Sequence, residues 1–190
     1  DIENVDVTHS KTHNAYVNLI NKKSDLILVT YPSEEEQQLA KDAGVELEIV
    51  PVVKEAFVFF VNKENSIDNL NQIQDIYSGK VTNWKEVGGT DAQILAYQRP
   101  QNSGSQSGML SLVMQGIKMK EPEKETVAQS MVDIVDVVSD YQNKENAIGY
   151  SYYYYITTMY SKDKIKLLSV NGIEPTYDNI KTGLYNIQTA

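Results

Sequence analysis

The 190-residue chain contains no cysteine. That excludes a disulfide scaffold, a thiolate metal site and a cysteine nucleophile. It has no apolar run near the roughly 18 residues a membrane-spanning helix needs. Five prolines and ten glycines are too few for a collagen-like or linker-like chain. Basic residues are scarce, 17 against 26 acidic ones, for a net charge of −9. A nucleic-acid binder needs a basic face to displace counterions from phosphate. The balance therefore argues against nucleic acid and against anionic membrane surfaces. Methionine does not open the chain, which begins Asp1-Ile2-Glu3-Asn4 without a basic and apolar leader. A processed, trimmed or truncated chain is expected.

What is present is ordinary for a globular protein: 41% hydrophobic and 23% charged residues, enough for one large domain or two small ones. Ala15, Tyr16, Leu19 and Ile20 have helical spacing. Asp25 to Val29 reads as a short buried strand. Ser33 with Glu36 forms a capping-box pattern that opens a helix through Ala43 and stops at Gly44. Leu47 to Val53 and Ala56 to Val61 are β-rich, one bent strand or two, with Pro51 on an edge. Leu70, Ile73, Ile76 and Tyr77 predict a helix ending at Gly79, and Gln93 to Tyr97 a short strand. Two helical stripes follow: Met109, Leu110, Val113, Met114 and Ile117, then Val127, Met131, Ile134, Val135 and Val138. A strand at Ala147 to Tyr150, a tyrosine-rich helix from about Tyr152 and a strand at Ile165 to Val170 complete the pattern. Such alternation predicts an α/β fold with largely parallel pairing.

The most informative stretch is Arg99 to Gly108, RPQNSGSQSG, between a predicted strand and a predicted helix. Ser103, Gly104 and Ser105 fall at the helix N-terminus, where unsatisfied N–H groups and the helix dipole favour an anion. Gly104 allows close approach of the backbone, the two serine hydroxyls add donors, and Arg99 offers a planar fork suited to an oxyanion. No Asp or Glu occurs from Ala92 to Lys120, while Arg99, Lys118 and Lys120 do, so this window is +3 in a chain of −9. The competing reading is a polar loop that merely caps a helix. The loop is neither a Walker A motif nor a dinucleotide fingerprint, because the Lys-Ser/Thr pair and the glycine spacing are missing.

Other candidates are weaker. His9 and His13, four apart, could share a helix face, but zinc needs further ligands, so a solvent-facing or capping role is expected. No G-x-S-x-G elbow is present. Glu34 to Glu36 read as complement to a helix dipole and as a solvated face. Trp84 reads as a packing residue, and the tyrosines from Tyr150 to Tyr160 as helix-to-sheet packing with some hydroxyls at the surface.

Taken in order, the motifs resemble phosphate-type substrate-binding proteins of ABC transporters. VNKENSIDNL resembles their V-N-x-x-N-P-I-x-N-L segment, and IYSGKVTNWKEVGG their I-F-x-G-K-I-T-N-W signature. Arg99 with Ser103-Gly104-Ser105 resembles their R-x-x-x-S-G-T phosphate loop. NAIGYSYYYY resembles G-A-I-G-Y, and NGIEPTYDNIKTGLY the D-G-V-x-P-T-x-E-N-I-x-x-G-x-Y-P tail. The resemblance implies an α/β, two-lobed, type II periplasmic-binding-protein-like fold with mixed sheets flanked by helices, truncated here at both ends. Residues 1–57 with 150–190 would form one lobe and 58–149 the other, with hinge strands near 54–61 and 147–151. Arg99, Ser103, Gly104 and Ser105 would hold phosphate or a similar small oxyanion. Thr30 falls where the family has a carboxylate that accepts the proton of hydrogen phosphate. No counterpart of the family's first-lobe Gly-Ser/Thr loop is found, which would put that loop upstream of Asp1. The protein would be exported, held at the membrane only by a lipid anchor outside this chain. It would act as a monomer, deliver its ligand to permease subunits, do no covalent chemistry and need no cofactor. A ligand-free domain for adhesion or signalling, or a phosphate-ester enzyme, are the alternatives.

Overall fold

The computed structural model describes residues 5–159 and 163–189. Its frame is the apolar run Phe57–Asn62, strand β1, buried along its whole length. A strand apolar on both sides must be covered on both faces, and this one is central. β4 (Ala147–Tyr152) lies antiparallel to it, with Phe57 opposite Tyr152 and Val61 opposite Ile148. β5 (Ile165–Leu167) lies antiparallel on its other edge. β3 (Leu95–Ala96) runs parallel to β4, giving the order β3-β4-β1-β5. A second small sheet pairs β2 (Asn69–Leu70) in parallel with β6 (Ser169–Val170). Pairing is thus mixed and not largely parallel: β1 and β4, and β1 and β5, meet antiparallel.

One face of the central sheet carries an aromatic cluster. Phe57, Phe59 and Tyr150 pack on it, and Tyr77 of helix α3 (Ile73–Ser78) stands 5.5 Å from Tyr150, ring centre to ring centre. The other face is covered by α5 (Met131–Ser139); Gly149 lets Phe60 and Ile134 close in, since a Cβ there would lie 3.0 Å and 3.1 Å from them. Trp84 is fully buried and donates Nε1–H to the Asn146 carbonyl at 3.1 Å, the packing role expected. α3 stops at Gly79, whose φ of 82° suits a left-handed cap. Leu70 belongs to β2 and not to that helix.

Helices α1 (Thr12–Ile20) and α2 (Glu34–Asp42) pair outside the main core, burying Ala15, Tyr16 and Ala40. The capping box at α2 is present: Glu36 N–H donates to Ser33 Oγ and Ser33 N–H to Glu36 Oε2. Because α1 starts at Thr12, His9 lies ahead of it, so the two histidines share no helix face. Neither 25–29 nor 47–53 forms a strand. Leu26 and Leu28 are exposed, as are Val50, Val52 and Val53. An extended segment becomes a strand only beside a hydrogen-bonded neighbour, and none pairs with these among the described residues.

The stripe from Met109 is also reshaped. Helix α4 (Gly104–Gly108) passes into a π-helical segment, Met109–Met114, in which Gln115 N–H reaches back to the Leu110 carbonyl. The wider turn buries Met109, Val113 and Met114 but leaves Leu110 and Ile117 exposed. Helix α6 (Tyr153–Met159) carries Tyr153 to Tyr155, while Tyr150 and Tyr152 lie on β4 and Tyr160 lies outside the described residues; α7 (Tyr177–Lys181) is capped by Thr176.

Candidate functional site

The site starts from the loop between β3 and α4. Its local form follows from capping: Ser103 adopts an extended backbone and its Oγ accepts the Gln106 N–H at 3.2 Å. That places Gly104 and Ser105 at the open first turn, with amide N–H groups free of helical partners. Arg99 is buried, 8% exposed. Its Nε donates to the Ala128 carbonyl at 2.9 Å, and Nη1 to Ser105 Oγ at 3.3 Å. No carboxylate lies within ion-pair distance of it among the described residues. Burial lowers its pKa, partly opposed by Tyr150, Asp133 and Tyr155. A buried cation fixed by carbonyls and lacking a counter-ion attracts an anion.

Beneath the loop lies a network absent from the sequence-based expectations. Tyr150 hydroxyl donates to Gln106 Oε1 and accepts the Arg99 N–H at 3.0 Å. Burial pushes the Tyr150 phenol well above its usual range, so it stays a neutral donor. Gln106 Nε2 reaches Gln98 Oε1 at 3.4 Å, and the Tyr152 hydroxyl donates to the Gly104 carbonyl at 3.3 Å. These two tyrosines therefore hold the loop as well as packing the sheet.

Thr30 also arrives here. A Cβ built on Gly104 would lie 2.8 Å from Thr30 Oγ1 and 2.9 Å from Thr12 Oγ1. All five predicted residues, Thr30, Arg99, Ser103, Gly104 and Ser105, thus gather at one place. Thr12, at the first position of α1, is the residue that sequence reasoning missed. A signal existed: Ser10-Lys11-Thr12 opens α1 as Ser103-Gly104-Ser105 opens α4. Two helix N-termini and two threonine hydroxyls face each other across a glycine. Thr30 Oγ1 and Asn102 Oδ1 are buried without a hydrogen-bond partner among the described residues, which leaves them able to bond a ligand.

A cleft of about 1030 Å³ opens beside this point, lined by Thr30, Tyr31 and Ser33 on one side and Arg99, Gln106 and Lys118 on the other. No group of three or more metal-ligating side chains is found among the described residues, and none of their helices is long and apolar enough to cross a membrane.

A family model for a PBP superfamily domain matches residues 1–189. The phosphate-binding protein PstS of Bacillus subtilis is 30% identical over 129 residues, 67% of this chain and 40% of that protein. PstS of Staphylococcus saprophyticus is 28% identical over 198 residues, 96% of this chain and 59% of that protein. The chain therefore spans about half the length of these curated relatives. Among solved structures, a Clostridium perfringens protein assigned as a phosphate ABC transporter substrate-binding protein, with bound phosphate, superposes with a TM-score of 0.72. It shares 29% identity and the match covers 92% of this chain and 67% of that one. An ABC-type phosphate transport receptor from Vibrio cholerae has the same fold, with a TM-score of 0.67 at 23% identity over 93% of this chain and 69% of that one.

Proposed function

The chain belongs to the PBP superfamily, and from that premise we propose that it is the phosphate-binding part of an extracytoplasmic substrate-binding protein. It captures phosphate, or a similar small oxyanion, and delivers it to the permease subunits of an ABC importer. The relatives named above are phosphate-binding proteins. The observation that carries the reading is the meeting of Thr12, Thr30 and Gly104 beside a buried Arg99 with no carboxylate in ion-pair contact. Ser103, Gly104 and Ser105 supply amide and hydroxyl donors, Arg99 the charge, and Thr12 and Thr30 the donors from the opposite side. Binding needs no cofactor and no bond is made or broken.

The proposed lobes are 1–57 with 150–190, and 58–149. The crossings fall at β1 and β4, which are ladder neighbours. β5 pairs with β1 and β6 with β2, so within this division residues 165–170 of the first lobe are hydrogen-bonded to strands of the second. Since the hydroxyls and the Arg99 loop come from separately packed parts, ligand would draw those parts together by hinge closure. Export, a lipid anchor outside the chain and a monomeric state complete the proposal.

Calorimetric titration with phosphate, sulfate and molybdate tests it. Phosphate should bind, and Arg99→Ala should abolish binding while leaving the circular dichroism spectrum unchanged. Unchanged phosphate affinity in Arg99→Ala would sink the site assignment.

A further inference from the structure

Glu36 is the most buried charged side chain among the described residues, 1% exposed, and the anion reading makes no use of it. Its Oε2 accepts the Ser33 N–H at 2.8 Å and the Ser33 Oγ–H at 2.9 Å. An ordinary capping box ends there. Here Oε1 turns to the neighbouring helix and faces His13 Nδ1 at 3.3 Å. One carboxylate thus ties the first turn of α1 to the first turn of α2.

Both ties sit beside the site. His13 follows Thr12, and Ser33 lies three residues after Thr30; those threonines carry the hydroxyls that meet Gly104. A third bond closes the ring: Tyr16 of α1 donates its hydroxyl to the Thr30 carbonyl at 2.7 Å. Apolar packing between the two helices is thin, with only Ala15, Tyr16 and Ala40 as buried hydrophobics. Position within this part must therefore come from polar bonds. The other charged residues of α2, Glu34, Glu35, Lys41 and Asp42, are exposed and point to no rival partner.

We infer that Glu36 is a positioning residue for the anion site: through His13 and Ser33 it sets where the Thr12 and Thr30 hydroxyls stand relative to Gly104. This rests on the anion-binding reading above. The test is a double-mutant cycle on the protein, with phosphate and sulfate titrated into wild type, Glu36→Ala, Thr12→Ala and the double variant, each checked by circular dichroism. Glu36→Ala should weaken phosphate binding about tenfold, a factor equivalent to about 1.4 kcal/mol. The double variant should lose less than the sum of the two single losses, because part of the Glu36 effect runs through Thr12. Additive losses, or unchanged affinity in Glu36→Ala, overturn the positioning role and leave the anion reading standing. A wild type that binds neither anion overturns both. Should Glu36→Ala fail to fold, His13→Ala removes that tie at a side chain that is 27% exposed, and the same cycle with Thr12→Ala decides.

Discussion

At Gly104 the absence of a side chain is the functional feature. The 2.8 Å and 2.9 Å separations from a built Cβ to the two threonine hydroxyls are shorter than a methyl group tolerates. Gly104→Ala should push Thr12 and Thr30 away and lower phosphate affinity at least about tenfold, about 1.4 kcal/mol, with little change in circular dichroism; calorimetry reads it. Arg99→Lys should also weaken binding, because an ammonium keeps the charge but not the fork that bonds Ala128 and Ser105 together. Tyr16 offers a pH test. Burial, and secondarily the charge of Glu36, push its pKa up to about 12 from the ordinary 10.0. The folded chain therefore holds that proton more tightly than the unfolded one. Its stabilising effect is complete below about pH 10 and is lost as pH rises from there toward about 12. Thermal melts should show that Tyr16→Phe loses less stability across that window than wild type. The Arg99 loop was legible in the sequence because its residue types and spacing are local. Thr12 was not, because its partner stands 92 positions away along the chain.

Between residue and molecule, the helices divide by how their ends are made. α2 was readable at both ends: Ser33 and Glu36 open it, and Gly44, with a φ of 68°, closes it. Such caps depend on a few neighbouring residues. Ser33→Ala should lower stability by about 1 kcal/mol, read as a drop in melting temperature. The segment after α4 was not readable. Met109, Leu110, Val113, Met114 and Ile117 fit an α-helical stripe in sequence, yet the chain adopts a π-helical turn and leaves it at Gln115 and Gly116, both at positive φ. Propensity does not separate these forms. Packing of Met109 and Met114 into the core selects between them. The misread strands at 25–29 and 47–53 make the same point. Their β-rich residues suit a sheet, but a ladder needs a second chain segment, and local sequence carries no information about it.

For the whole molecule, the consequence is uneven packing. Buried side chains from Ala56 to Tyr185 share one hydrophobic core, whereas α1 and α2 bury a small cluster of their own. The exposed stretch from Val45 to Lys54 joins them without helix or strand. Limited proteolysis should cut there first, at Lys54 with trypsin or at Glu46 and Glu48 with a glutamate-specific protease. Trp84, buried in the main core, should keep its native fluorescence after the cut. Loss of the Trp84 signal at the same rate as cleavage would contradict this division.

By itself the sequence determined the chemistry on offer: no thiol, a net charge of −9, an acid-free loop holding Arg99, and helix starts rich in hydroxyls. It also marked Ala56 to Val61 as β-rich, while the neighbours that pair with Phe57–Asn62 decided that this strand is central. Tertiary structure alone decided which helix start faces Gly104, that Glu36 joins α1 to α2, and that β1 takes antiparallel neighbours. These are contacts between residues far apart in the chain. Their free energy depends on shape and burial, which no local stretch of residues encodes.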